Sequence, residues 1–249
     1  MLRRPLWSLP LALAAACTGT DVGNGRSVVE LQSFGYEAKA VTTRSLVLGS
    51  GTRIDQALVA IERVRLSPGT DCEEGPTSEI DAEGPFVSDL VGVGFLATPP
   101  RFEVDTGSYC ALELAFHKLD AVGTTGAPAE LVGLSMLVRG VRADGVAFEI
   151  RSERGEEFEL GASGGAFALG EGVQPLILAY ELSSWIEAVD LDSLSGDPVV
   201  VSPEENSERL DAFEQAVEDS ARLFEDRDRD GELGDDESSD EDALADGRL

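Results

Sequence analysis

The chain's 249 residues carry 48 acidic against 19 basic side chains, a formal net charge of -29, which makes nucleic acid and anionic lipid poor electrostatic partners, since both are bound through Lys and Arg. Hydrophobic residues still make up 42% of the chain, enough for a core. His117 is the only histidine, so multi-histidine metal sites are excluded and any Ser/His or Cys/His pair has a single base to use.

The chain opens with Met1-Leu2-Arg3-Arg4, an apolar stretch from Leu6 to Leu13, and the small residues Ala14-Ala15-Ala16 before Cys17. Basic, apolar and small residues in that order make a secretion signal, and the apolar part is too short to span a bilayer. The segment resembles a bacterial lipoprotein signal. That resemblance implies removal of residues 1–16 and acylation of Cys17, which would anchor the chain to a membrane. Ordinary cleavage after Ala16 is the alternative. Thr18 after the cysteine resembles lipoproteins carried onward to the outer membrane. Three cysteines leave one unpaired in an exported chain unless one is modified. With Cys17 acylated, Cys72 and Cys110 form an even pair that can close a disulfide, and two separate buried thiols are the alternative. Residues 17–26 lack apolar periodicity and read as a flexible tether.

Residues 27–198 read as a β domain. Alternation and turn residues predict strands at Val28–Tyr36, Ser45–Leu48, Ala57–Leu66, Phe86–Val91, Arg101–Val104, Tyr109–Leu119, Leu134–Val141, Val146–Arg151, Glu156–Leu160 and Val173–Leu182. Many short strands without intervening helices point to an antiparallel β-sandwich, prealbumin-like or immunoglobulin-like. Asp144-Gly145 is the best hairpin turn. The segments IERVRL, FVSDLV, RFEVDTGSYCALELAFHKL and LILAYELSSWIEAVDL, spread over residues 55–195, resemble a family of uncharacterised bacterial lipoproteins with a prealbumin-like β-sandwich. The resemblance implies a secreted, anchored binding or structural module. It brings no catalytic residues with it.

Apparent enzyme motifs in this region lack their structural context. Gly161-Ala162-Ser163-Gly164-Gly165 matches Gly-x-Ser-x-Gly, but no helix-length segment follows it and His117 precedes the serine. Gly92-Val93-Gly94 mimics a dinucleotide fingerprint, yet Pro99-Pro100 stops the helix that would present its N-terminus to a phosphate. A hydrolase of envelope polysaccharide using two carboxylates among Asp81, Glu83, Asp105 and Glu113 is the rival to a non-enzymatic reading, because two carboxylates suffice for glycoside cleavage.

Residues 199–249 carry the sharpest signal. Ser202-Pro203-Glu204-Glu205 predicts a capped helix start, and Leu210, Phe213, Val217, Ala221 and Phe224 continue an apolar stripe through about Glu225. The run Asp226-Arg227-Asp228-Arg229-Asp230-Gly231-Glu232-Leu233-Gly234-Asp235-Asp236-Glu237 follows directly and resembles an EF-hand calcium loop. Ca²⁺ takes 6–8 oxygens, with ligands at loop positions 1, 3, 5, 7, 9 and 12 and glycine at 6 for the bend. These positions fall on Asp226, Asp228, Asp230, the Glu232 carbonyl, a water near Gly234, and Glu237, with Gly231 at the bend. The competing reading is a solvated acidic tail, since residues 201–249 hold 19 acidic and 5 basic residues. A lone loop with only a helical stub after it, around Ala243 to Ala245, implies a weak structural Ca²⁺ site rather than a switch. Together these readings give a lipid-anchored envelope module facing an unidentified envelope protein or glycan, with no nucleic-acid partner.

Overall fold

The computed structural model describes residues 25–35, 45–72, 80–92, 94–123, 125–234, 237–239 and 241–247. The signal segment, Cys17 and all but the end of the tether lie outside the described residues. Inward-facing Ser27, Val29, Leu31, Ser33 and Gly35 alternate with less buried neighbours to make β1 (Arg26–Gly35). β2 (Leu46–Val47) leads into β3 (Arg53–Pro68), the 16-residue strand around which the sheet is organised. β4 (Ile80–Asp89) pairs along one edge of β3. Next come β5 (Gly94–Phe95), β6 (Arg101–Asp105), β7 (Gly107–Phe116) and β8 (Met136–Val141). The second edge of β3 is shared: β8 takes the part around Arg53–Val59 and β7 the part around Ile61–Pro68, with a register shift at Glu62 between them. A bulge there bends β3 so that one strand can serve two neighbours.

The remaining strands are β9 (Ala147–Ser152), β10 (Glu157–Ala162), β11 (Phe167–Leu169), β12 (Gly172–Tyr180), β13 (Val199–Val201), β14 (Ala221–Glu225) and β15 (Ala245–Asp246). Along the sheet the order is β13-β9-β8-β3-β7-β10-β15-β14-β12-β1-β6. The sheet curls until the end of β1 meets the end of β4, where the Gly35 N–H donates to the Leu90 carbonyl at 2.8 Å. The β-rich expectation therefore holds, but the sheet is mixed rather than antiparallel: β1 runs parallel to β12, and β9 parallel to β13. Asp144-Gly145 does turn the β8–β9 hairpin, with Gly145 at φ 90°, a backbone region glycine enters without strain.

Among the described residues two α-helices interrupt the strand pattern. α1 (Leu182–Val189) begins at the last residue of the expected Val173–Leu182 strand, in a stretch for which no helix is predicted, and it buries Leu182, Trp185, Ile186 and Val189 on one face. α2 (Ser207–Ser220) buries Leu210, Phe213 and Val217. The edge-to-face rings of Tyr180, Trp185 and Phe213 join both helices to β12, and the Trp185 indole N–H donates to Ser220 Oγ at 2.7 Å. The expected helix is corrected at both ends. Ser202 Oγ accepts from the Glu204 and Glu205 N–H groups at 3.2 Å, but that turn is not helical, and α2 begins only after Asn206, held at φ 59° with its side-chain amide donating to the Val200 carbonyl. At the other end Ala221–Glu225 is strand β14, between β12 and β15. Strand β15 likewise stands where a helical stub is expected.

Cys72 and Cys110 are joined as a disulfide across a Cα–Cα distance of 5.2 Å. The bond ties the segment leaving β3 to β7, whose Tyr109 is the register partner of Pro68 at the end of β3. No helix among the described residues is long and apolar enough to cross a membrane.

Candidate metal centre

β14 aims the acidic loop. Its ladder with β12 runs one residue past the strand, the Asp226 N–H donating to the Pro175 carbonyl at 3.1 Å, so the first carboxylate of the loop is fixed at the end of an interior strand. Asp226 is 4% exposed and Glu237 3%, the lowest exposures of any acidic side chain among the described residues. Carboxylate oxygens of Asp226, Asp228 and Glu237 lie within 4.8 Å of one another. The backbone folds around them. Glu237 Oε1 accepts from the Arg227 N–H at 2.6 Å and its Oε2 from the Gly234 N–H at 3.3 Å, so the closing glutamate holds both limbs of the loop. The Gly231 N–H donates to Asp226 Oδ2 at 3.0 Å. Gly231 has φ 77°, the left-handed conformation the bend requires. Leu233, at position 8 of the loop, packs on the small cluster of Ile177, Ala179, Phe224 and Ala243.

One atom in this arrangement is out of balance. Asp226 Oδ1 is buried and has no hydrogen-bond partner. A buried acceptor left unpaired costs on the order of 1–3 kcal/mol, more when charged. Burial pushes the Asp226 carboxyl above the usual carboxylate range, and the nearby charges of Glu237 and Asp230 add to that shift against the lowering by the Gly231 and Arg229 N–H groups. A hard divalent cation satisfies both the orphaned oxygen and the mutual repulsion, and an all-oxygen donor set is what such cations take. Of the other sequence-predicted ligands, Asp230 is exposed and its Oδ1 accepts from the Glu232 N–H at 2.8 Å, while Glu232 is exposed and Gly234 half-buried beside Glu237. Asp235 and Asp236 lie outside the described residues. Arg227 pairs with Asp242 at 2.7 Å, a brace across the loop that the spacing of ligands does not reveal.

The loop therefore departs from the EF-hand pattern in how it is framed. A strand enters it and a strand, β15, follows it, in place of the helices the sequence predicts.

The residues singled out for enzyme chemistry are dispersed. The Ser163 hydroxyl donates to Asp246 Oδ2 at 2.8 Å in a turn between β10 and β11. His117 Nδ1 lies 3.7 Å from Glu62 Oε2 with its side chain 52% exposed, and Glu83 lines the same shallow cavity. Asp81 and Glu113 flank Arg65 at 4.0 and 3.3 Å, and Asp105 lies 3.7 Å from Arg26. Three of the four carboxylates named for a hydrolase thus lie beside arginines rather than beside one another. No family model, no curated protein and no solved structure matches this chain.

Proposed function

We propose that this protein is a non-enzymatic module of the bacterial cell envelope, exported and anchored through a lipid on Cys17, that binds or scaffolds an envelope protein or glycan and carries a structural calcium ion in loop 226–237. Membership of the prealbumin-like lipoprotein family belongs to the same reading. The calcium assignment rests above all on the buried, partnerless Oδ1 of Asp226 beside two further carboxylates. Asp226, Asp228 and Glu237 would hold the ion through their side chains, Asp230 would join them by turning inward, and the Glu232 carbonyl and a water near Gly234 would complete the sphere. A non-enzymatic role is supported by the pairing of Asp81, Glu113 and Asp105 with arginines and by the chain order of His117 and Ser163, the reverse of the one a Gly-x-Ser-x-Gly hydrolase has.

Titration calorimetry on the lipid-free mature chain tests the site. A saturable heat with Ca²⁺ is expected at a dissociation constant on the order of 0.1 to 1 mM, the class of extracellular modules, with Mg²⁺ a poor substitute because it demands six rigid, shorter bonds. Glu237→Gln and Asp226→Asn should each abolish saturation in that range. A titration that shows only dilution heats, or one that both variants leave unchanged, overturns the assignment.

A further inference from the structure

Strand β15 is two residues long, yet it is the strand through which β10 hydrogen-bonds to β14, and so the joint between the β3-β7-β10 half of the sheet and the β14-β12-β1 half. Ala245 pairs with Ala162 on one side and Leu223 on the other, and Asp246 with Gly161 and Arg222. The apolar surface that holds it is modest: the methyl groups of Ala245 and the nearby Ala243 are buried, and Leu244 packs half-buried against the core. Its attachments are polar: Leu244 N–H to the Leu223 carbonyl at 2.8 Å, Ser163 N–H to the Leu244 carbonyl at 3.0 Å, and Gly247 N–H to the Ala221 carbonyl at 3.2 Å. The same chain that makes this joint also makes the acidic loop, which starts at Asp226 directly after β14 and closes at Glu237.

We infer that the metal loop is the fastener of this seam: an ion bridging Asp226 and Glu237 holds β15 between β10 and β14, and its removal lets the joint open. The inference rests on the calcium reading above. Without an ion, the hydrogen bonds from the Arg227 and Gly234 N–H groups to Glu237 and the Arg227–Asp242 pair close the loop against carboxylate repulsion; once they release, β15 hangs from β14 on the whole connection from Asp226 to Ala245. With Asp226 and Glu237 joined, only the part after Glu237 remains free. By the three-halves-power dependence of loop closure on length, that shortening favours docking by about fourfold. Relief of repulsion between the loop's carboxylates adds to this figure. Linkage makes the effect reciprocal, so whatever loosens β15 must weaken the ion by the same factor.

Hydrogen exchange on the mature chain, with saturating Ca²⁺ against chelator, reads the seam directly. Amides in peptides covering Gly161–Ser163, Ala221–Leu223 and Leu244–Gly247 should exchange at least about fourfold more slowly with Ca²⁺, while β3 and β8 stay unchanged. Gly247→Ala supplies the reverse arm, since a Cβ there would stand 2.0 Å from the Glu218 carbonyl oxygen and the strand must shift, though no metal ligand is touched. Its Ca²⁺ dissociation constant should rise by a similar factor. Ser163→Ala, which deletes the hydroxyl bond to Asp246 without crowding, should raise it in the same direction and serves if Gly247→Ala does not fold. Protection confined to residues 226–237, with unchanged affinity in the seam variants, would overturn the fastener and leave the calcium site standing. No Ca²⁺-dependent heat or protection anywhere overturns both.

Discussion

Breaking the Cys72–Cys110 bond should destabilise the fold by several kcal/mol. The two cysteines are separated by 38 residues, and the loop they close contains β4, β5 and β6. In the chain-entropy model a closed loop of that length removes about 13 cal/mol/K from the unfolded ensemble, or about 4 kcal/mol at 25 °C. Little on the folded side should offset this, because Cys72 is exposed and Cys110 only half-buried, so Cys72→Ser/Cys110→Ser buries no unpaired hydroxyl. For a chain of this size about 4 kcal/mol corresponds to a fall in Tm of roughly 8–16 °C. Equilibrium urea unfolding of wild type and double variant should show the loss of stability together with a steeper dependence on urea, since the unlinked chain exposes more surface when unfolded. A variant whose stability lies within about 1 kcal/mol of wild type would refute the view that the staple acts by restraining the segment β4 to β6.

Tyr180 is fully buried and its hydroxyl has no partner, with burial holding the phenol far above its ordinary pKa, so Tyr180→Phe should stabilise the fold by about 1 kcal/mol in calorimetry, and a loss of stability would reveal a partner for that hydroxyl. Burial raises the Glu214 carboxyl despite the Ser152 hydroxyl and Arg154. A raised folded pKa favours the fold below the ordinary carboxylate range and loses that contribution as pH rises through the folded value, so Glu214→Gln should raise Tm at pH 7 by an amount that shrinks to nothing as pH falls to about 4; a pH-independent difference would sink this account. A fatty-acid probe fed to the producing cells should label the wild-type protein and not Cys17→Ser, and equal labelling would remove the lipid anchor.

The strands were legible because period-2 alternation is a local property: Arg26–Gly35, Arg101–Asp105, Ala147–Ser152 and Glu157–Ala162 each bury alternate residues. What the sequence hides are the places where burial is two-sided or pairing is remote. Leu176 to Tyr180 is apolar without a break and only Glu181 separates it from Leu182, so the 3.6-residue spacing of Leu182, Trp185, Ile186 and Val189 is masked by the strand before it. Ala221 and Phe224 fit a continuing helical stripe, but Arg222 and Leu223 are buried as well, and burial on every side of four consecutive residues is the mark of a strand inside a sheet. The parallel pairing of β1 with β12 joins residues some 145 positions apart, and no local pattern encodes it. The acidic loop was readable for the opposite reason, since ligand spacing and the glycine bend are set within one short segment. Its orphaned oxygen was not, because the burial of Asp226 comes from the strands around it.

The strand framing of loop 226–237 also limits what an ion can do there. In sensor EF-hands, binding swings one helix against another and opens an apolar groove. Here β14 and β15 are neighbours in one sheet, each hydrogen-bonded on both sides, and Leu233 sits on a cluster that includes Phe224 of β14. A swing of either flank would break ladder bonds and uncover core, so the accessible response to an ion is ordering in place. That response suits a chain with a net charge of -29, whose self-repulsion works against compactness and is densest in its last fifty residues. The disulfide restrains the β3–β7 half of the sheet covalently. The acidic loop, on the reading proposed above, restrains the β14–β15 half with an ion that is abundant outside the cell and scarce within it, so the second restraint would be set only after export.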